Sequence, residues 1–335
     1  MSTSEDKKNS KFGNKINIIF MLLIMVGLVL IIYQNQEKLT EYKDILLNIN
    51  PFEILIILGI TILANVGRSW RWYYLLMPVK EKVSFWNVLR VNVNAIAVNA
   101  STPGKAGVPV KSYLLKKLEN IDYSRSLPSI LGEMVIEYSA QLLLLICSVF
   151  IGGHLAKLYE ATKAITQNQS LMTNIGLFAG AIVLVIAAIY FLRKKINFPN
   201  FLEKFSQAVS ETGKRWDCWV YSSVISIVNL VIDFAGFWLM VRTLGHPEIG
   251  LTFIIFTGGI TNIIGLISPL PGGIGVREIT IYGLYDLYFG LGGIAFLAIL
   301  LMRIVTYIGL FLMLFVDRLF VQPIVNKKVG ESNPA

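Results

Sequence analysis

Pro103-Gly104-Lys105-Ala106-Gly107-Val108 reads P-G-x-x-G-V, and so does Pro271-Gly272-Gly273-Ile274-Gly275-Val276. The two copies start 168 positions apart in a chain of 335 residues, about half its length. Each follows a mostly apolar run rich in Asn, Ser and Thr, and each leads into a segment with helical patterning that carries a cation, Lys111 or Arg277. Proline stops the helix before it and glycine supplies the bend. Pro and Gly cluster in any loop, but the half-chain spacing and the similar flanks favour two repeats, each built on a hydrophobic segment broken at a Pro-Gly bend. In membrane transporters that pattern points to the binding region.

Hydrophobic residues make up 55% of the chain and charged residues 15%, with a mean hydropathy of +0.63. These values belong to a polytopic membrane protein rather than a soluble domain. Cys147 and Cys218 lie in or beside apolar runs, and His154 and His246 lie in connections far from any second ligand, so neither a disulfide framework nor a metal site is expected. The longest polar connection, 193–216, is too short for a catalytic domain. With no nucleophile–base pair and no P-loop, no catalytic residue and no cofactor are expected. The net charge of +9 points to cytoplasmic loops and anionic lipid, not to nucleic acid.

Six runs are long enough to cross a bilayer: 16–33, 52–76, 127–151, 172–192, 219–241 and 292–316. The first lacks a small-residue cleavage site and reads as an uncleaved helix, and 34–51 reads as a short loop of mixed charge. Segments 84–102 and 251–267 are different. The first is interrupted by Asn87, Arg90, Asn92, Asn94 and Asn99, the second by Thr257, Gly258, Gly259, Thr261 and Asn262. Such polar density is costly in lipid and fits segments packed inside a bundle or lining a wet cavity. After their bends, 110–118 and 276–289 return.

Charge tests the topology. With 84–118 and 251–289 read as re-entrant hairpins, both termini share a side. Placing them in the cytoplasm puts twenty of the thirty Lys and Arg in cytoplasmic connections and five outside. Arg90, Lys105, Lys111, Arg277 and Arg303 are then embedded. That is a strong positive-inside bias. One extra span per hairpin would instead turn 193–216, with its six cations, outward; two through-spans per region would fit the charges equally well. The expected fold is an all-α polytopic membrane protein with about six full transmembrane helices and two re-entrant hairpins in an inverted-repeat arrangement. Residues 1–15 form a basic cytoplasmic N-terminus, 16–320 a single transmembrane domain and 321–335 a cytoplasmic tail, in the cell membrane.

The embedded charges define the candidate site. Glu133, Glu137 and Gln141 are four apart and share a helical face. One buried ion-pair partner explains the acidic pair more simply than catalysis does. The stretch Gly67-Arg68-Ser69-Trp70-Arg71-Trp72-Tyr73-Tyr74 reads first as an interfacial anchor. The sharper alternative gives Arg68 or Arg71 a lipid phosphate. Helix N-termini after the bends, with Lys105, Lys111, Arg277 and Arg303, would attract an anion. Glu133, Glu137, Glu278 and Asp233 offer counter-charge.

At these residues the sequence resembles the transmembrane flippase family of lysylphosphatidylglycerol synthase. The likeness is carried by Arg68-Ser69-Trp70-Arg71-Trp72, Pro103-Gly104-Lys105-Ala106-Gly107 with Lys111, Glu137, and Ser268-Pro269-Leu270-Pro271-Gly272-Gly273-Ile274-Gly275-Val276-Arg277-Glu278, over roughly residues 15–320. It implies a lipid-translocating domain with re-entrant helices, anionic or lipid-linked membrane lipids as partners, and a homodimer. The expected substrate-binding residues are Arg68, Arg71, Lys105, Lys111, Glu137, Arg277, Glu278 and Arg303. The expected bends are at Pro103, Gly104, Gly107, Pro271, Gly272, Gly273 and Gly275. The chain departs from the family where Val108 replaces an acid, Lys111 an Arg, Tyr138 an Arg and Gln141 an Asp. The soluble aminoacyl-transfer domain of the full synthase has no counterpart here, so lysyl transfer is not implied. The expected function is translocation of a phospholipid or lipid-linked head group between leaflets. The alternative is a non-transporting membrane partner or anchor of a lipid- or glycan-modifying enzyme.

Overall fold

The computed structural model describes residues 39–80, 82–101, 107–154, 215–265 and 273–321. In hydrocarbon every backbone N–H and C=O needs an internal partner, which an apolar chain achieves as helix. In order the described helices are α1 (Leu39–Leu47), α2 (Pro51–Leu76), α3 (Phe85–Ser101), α4 (Gly107–Glu119), α5 (Tyr123–Gly152), α6 (Trp216–Thr243), α7 (Leu251–Gly265), α8 (Val276–Phe289) and α9 (Gly292–Val316). A π-helical turn, Asp317–Val321, follows α9. Among them α2, α5, α6 and α9 carry stretches long and apolar enough to cross a membrane. The expected spans 16–33 and 172–192 lie outside the described residues.

Local chemistry sets the starts. Asn50 caps α2 by accepting a hydrogen bond from the Phe52 N–H at 3.0 Å, and Pro51 occupies the first helical position, where its missing donor is harmless. Region 34–51, expected as loop, contains α1. Tyr42, Ile45 and Ile49 recur at a spacing of three and four and pack on the main apolar core, which is what orders this turn of chain.

The two broken regions are hairpins. At 1.5 Å per residue the 17-residue α3 and 15-residue α7 reach only about 25 and 22 Å, short of a hydrocarbon core of about 30 Å. At the mouth of the first hairpin, Glu119 at the end of α4 gathers the start of α3. Its Oε1 accepts from the Ser84 N–H at 3.1 Å and from Asn87 Nδ2 at 2.7 Å, and Lys80 Nζ reaches its Oε2 at 2.9 Å and its carbonyl at 2.8 Å. At the other end, the Gly107 N–H donates to Asn99 Oδ1 at 2.7 Å. The second hairpin closes its mouth with rings: Phe253 on α7 lies 5.0 Å from Tyr285 and 4.9 Å from Phe289 on α8.

Gly107 is needed for the close approach of α4 to α3. A Cβ there would stand 2.4 Å from the Ala95 carbonyl oxygen and 2.6 Å from the Asn99 amide. Gly107→Val is expected to cost about 2 kcal/mol or more through overpacking against backbone. A fall in the thermal midpoint of the detergent-purified protein would register it, and an unchanged midpoint would show that the hairpin tip yields freely.

α2 and α6 are packed antiparallel. Tyr74 stacks on Tyr221 at 5.7 Å, Ser222 Oγ donates to the Arg71 carbonyl at 3.1 Å, and Arg68 meets Asp233 further along. Each opens a four-helix run of long helix, hairpin and long helix: α2–α5 in the first unit, α6–α9 in the second. Because the opening helices oppose each other, the second unit is inverted relative to the first. One core cluster, including Ile57, Leu230, Phe234, Ile254, Tyr285 and Ala298, joins the units; a smaller one with Trp72, Leu76, Val88, Leu115 and Ile130 packs the first hairpin. Phe150, Val228 and Phe311 face outward, as lipid-facing positions do.

Candidate functional site

A charge at the middle of a bilayer costs several kcal/mol unless it is paired or wet. α2 nevertheless carries two cations near the level where α5 and α6 carry acids. Arg71 is 1% exposed. Its Nη2 donates to Glu133 Oε1 at 2.9 Å and to Glu137 Oε2 at 2.7 Å, and its Nη1 to Ser226 Oγ at 3.1 Å. The two glutamates are one turn apart on α5, so a single guanidinium fork spans both. Lys111 on α4 completes the group: its Nζ lies 2.6 Å from Glu133 Oε2 and 4.3 Å from the centre of the Trp72 ring. Four helices from both units therefore meet at one ionic cluster.

This corrects the interfacial reading of the Arg-Trp stretch. Arg71 and Trp72 are buried, and only Trp70 of that group is widely exposed. Ser69 is buried too, and donates to the Asn65 carbonyl. Removing Arg68 and Arg71 from the loop tally leaves eighteen cations against five, so the charge bias stands without them.

Arg68 lies one turn before Arg71 and turns to α6, donating to Asp233 at 2.5 Å and to Asn65 Oδ1 at 2.9 Å. About a quarter of each side chain in that pair is exposed, and 35% of Glu137. Glu137 is near the middle of its 30-residue helix. A charge left open at that depth has to be met by water or a polar group rather than by lipid tails.

The second bend supplies another cluster. Gly273 and Gly275 have φ of +72° and +82°, values that glycine adopts without a Cβ clash. The chain then enters α8, and the Gly275 N–H donates to Glu278 Oε2 at 2.6 Å, a capping contact. The other Glu278 oxygen accepts from Arg303 Nε on α9 at 2.5 Å, and Glu278 is 2% exposed. Glu278 is thus committed to Arg303 and not to its neighbour Arg277. The Arg277 Nε is buried without a hydrogen-bond acceptor among the described residues. Its stem is wedged beside Gly265 and Gly273, where an added Cβ would stand 2.5 and 2.9 Å from that nitrogen. Tyr138 and Glu137 on α5, together with Glu278 and Arg303, are its electrostatic neighbours.

The structure therefore brings Arg68, Arg71, Lys111 and Glu137 into one network and Glu278 and Arg303 into a second, with Arg277 at the second bend. Lys105, Pro103, Gly104, Pro271 and Gly272 lie outside the described residues. Sequence reasoning passed over Ser222, Ser226 and Asn229, which with Asp233 form a polar stripe at spacings of four, three and four on α6. That periodicity was the available signal. Among the described residues no group of three or more His, Cys, Asp or Glu is placed to hold a metal.

The model of the family described as the lysylphosphatidylglycerol synthase transmembrane region matches residues 18–313. A UPF0104 membrane protein of Methanocaldococcus jannaschii is 21% identical over 342 aligned residues, covering 94% of this chain and 96% of that protein. A UPF0104 membrane protein of Methanothermobacter thermautotrophicus is 27% identical over 244, covering 64% and 68%. The family description refers to the transmembrane region of the synthase, and the two UPF0104 names give no activity.

Proposed function

We propose that this chain, which belongs to the lysylphosphatidylglycerol synthase transmembrane-region family, is a non-enzymatic multi-pass membrane protein that moves a phospholipid or lipid-linked head group between leaflets. The observation that carries this reading is the surplus cation. Among the described residues the two interior clusters hold Arg68, Arg71, Lys111, Arg277 and Arg303 against Glu133, Glu137, Asp233 and Glu278, and Arg277 alone of the nine has no hydrogen-bonded partner of opposite charge. A buried guanidinium N–H without an acceptor is costly, and Arg277 Nε is one among the described residues; the phosphate of a head group would relieve it. The paired clusters then offer a polar track, ending at Glu137 and Arg68, while the tails stay in lipid. Opposed units around such a site are the architecture of alternating access.

The test is leaflet exchange of head-group-labelled phosphatidylglycerol in proteoliposomes of the full chain. Exchange well above that of protein-free vesicles is expected; equal rates sink the reading.

Both termini are assigned to the cytoplasm of the cell membrane on the eighteen-to-five charge bias. After replacement of Cys147 and Cys218, a cysteine at Lys116 is expected to react with a membrane-impermeant thiol reagent only in inside-out vesicles. One at Glu248 is expected to react only in intact cells. The opposite pattern reverses the orientation.

A further inference from the structure

Away from the interior clusters, a groove of about 220 Å³ opens between α2, α3 and α9. Its walls are apolar: Ile62 from α2, Trp86 and Val93 from α3, and Leu312 and Val316 from α9. Trp86 is 56% exposed and Val316 49%, so the groove opens sideways to the surroundings of the helices. One polar feature interrupts it. Arg90 on α3 and Asp317 at the end of α9 line the same groove, and Arg90 Nε lies 2.9 and 2.8 Å from the two carboxylate oxygens. Their side chains are 10% and 17% exposed. That single nitrogen serves both oxygens. Arg90 Nη2 is buried with no hydrogen-bond partner among the described residues.

Size narrows the occupant. The volume equals that of roughly seven waters and falls below the roughly 300 Å³ at which pockets enclose a whole small ligand. It suits part of one hydrocarbon chain. Apolar contact alone selects nothing in a bilayer, where the competing tails are equally apolar, so selection has to come from the free guanidinium N–H. The end of the molecule where the pair sits is basic: Lys82 before α3, Lys116 and Lys117 in the last turn of α4, Arg125 in the first turn of α5 and Arg318 after α9 are exposed there. Such a rim concentrates anionic lipid.

We propose that this groove binds one anionic glycerophospholipid, with a phosphate oxygen on Arg90 Nη2 and one acyl chain along Trp86, Leu312 and Val316. The site is separate from the translocation path. Its walls come from both inverted units, α2 and α3 from the first and α9 from the second, so the bound lipid fastens one unit to the other. Its readout is binding, so its failure is distinct from failure of the transport reading.

The experiment is native mass spectrometry of the full chain, delipidated in detergent and titrated with phosphatidylglycerol or phosphatidylcholine, alongside the thermal midpoint. A retained phosphatidylglycerol that Leu312→Trp removes, beyond any held at the Arg277 site, and a saturable rise in midpoint are expected for the wild type, with binding at the groove at least about tenfold weaker for phosphatidylcholine. Leu312→Trp, which fills the groove from its open side and leaves Arg90 untouched, is expected to weaken phosphatidylglycerol binding by a similar factor. So is the charge-neutral double variant Arg90→Gln/Asp317→Asn. If the double variant fails to fold, Leu312→Trp carries the test alone. Undiminished phosphatidylglycerol binding in Leu312→Trp, or equal binding of the two lipids to the wild type, overturns the proposal.

Discussion

Arg71→Ala is expected to eliminate most of the folded protein. Removing one partner of a buried ion pair leaves an uncompensated charge and costs about 3–5 kcal/mol, against a total stability of about 5–15 kcal/mol. Here the loss strands more than one group. Glu133 keeps Lys111, but Glu137 loses its hydrogen-bonded cation, and Ser226 loses its donor. Arg71→Lys retains charge but not the fork that spans two carboxylates, and should fall between wild type and alanine. Size-exclusion profiles and thermal midpoints in detergent report the effect. Arg71→Met with Glu137→Gln keeps the Lys111–Glu133 pair and removes the stranded acid. It is expected to recover most of the midpoint lost in Arg71→Met. If it recovers none, packing and not charge holds α2 against α5.

Arg277→Gln should behave in the opposite way. Among the described residues it forms no ion pair whose loss would strand an acid, so the thermal midpoint is expected to stay within about 1 kcal/mol of wild type or to rise. Leaflet exchange of phosphatidylglycerol is expected to fall by about ten- to a hundredfold, the factor that corresponds to a charged hydrogen bond of roughly 1.5–3 kcal/mol. Arg303→Gln is the contrast: it strands Glu278 at 2% exposure and is expected to destabilise. Exchange that persists in Arg277→Gln would remove the head-group role from this residue.

The hairpins were legible because two independent signals agreed. Asn and Thr at high density marked segments unfit for lipid, and the charge count forbade a single extra crossing. Residues 276–289 and 292–316 coincide with α8 and α9 because Gly275 and Gly290–Gly293 punctuate the chain on both sides. The Arg-Trp stretch was less legible. Its position near the end of an apolar run suggested an interface, and the facing groups, Ser226 and Asp233 on α6, Glu133 and Glu137 on α5 and Lys111 on α4, show that Arg68, Arg71 and Trp72 turn inward. A partner helix about 150 residues away leaves no mark in a local window. The pairing of Glu278 with Arg303 rather than Arg277 was equally hidden, since adjacent residues on a helix diverge by about 100° and their partners depend on tertiary placement.

The two hairpin mouths are fastened by different chemistry, and this divides labour between them. Glu119 holds the first through four directional bonds to Lys80, Ser84 and Asn87, contacts that weaken steeply when displaced. Rings hold the second, and stacked or edge-on rings tolerate centroid separations from about 4.5 to 7 Å. At the mouths, the first hairpin is therefore held by directional bonds and the second by ring contacts that tolerate a wider range of spacing. Under the proposed transport reading, α8 would shift against Phe253 of α7, with Arg277 near its start.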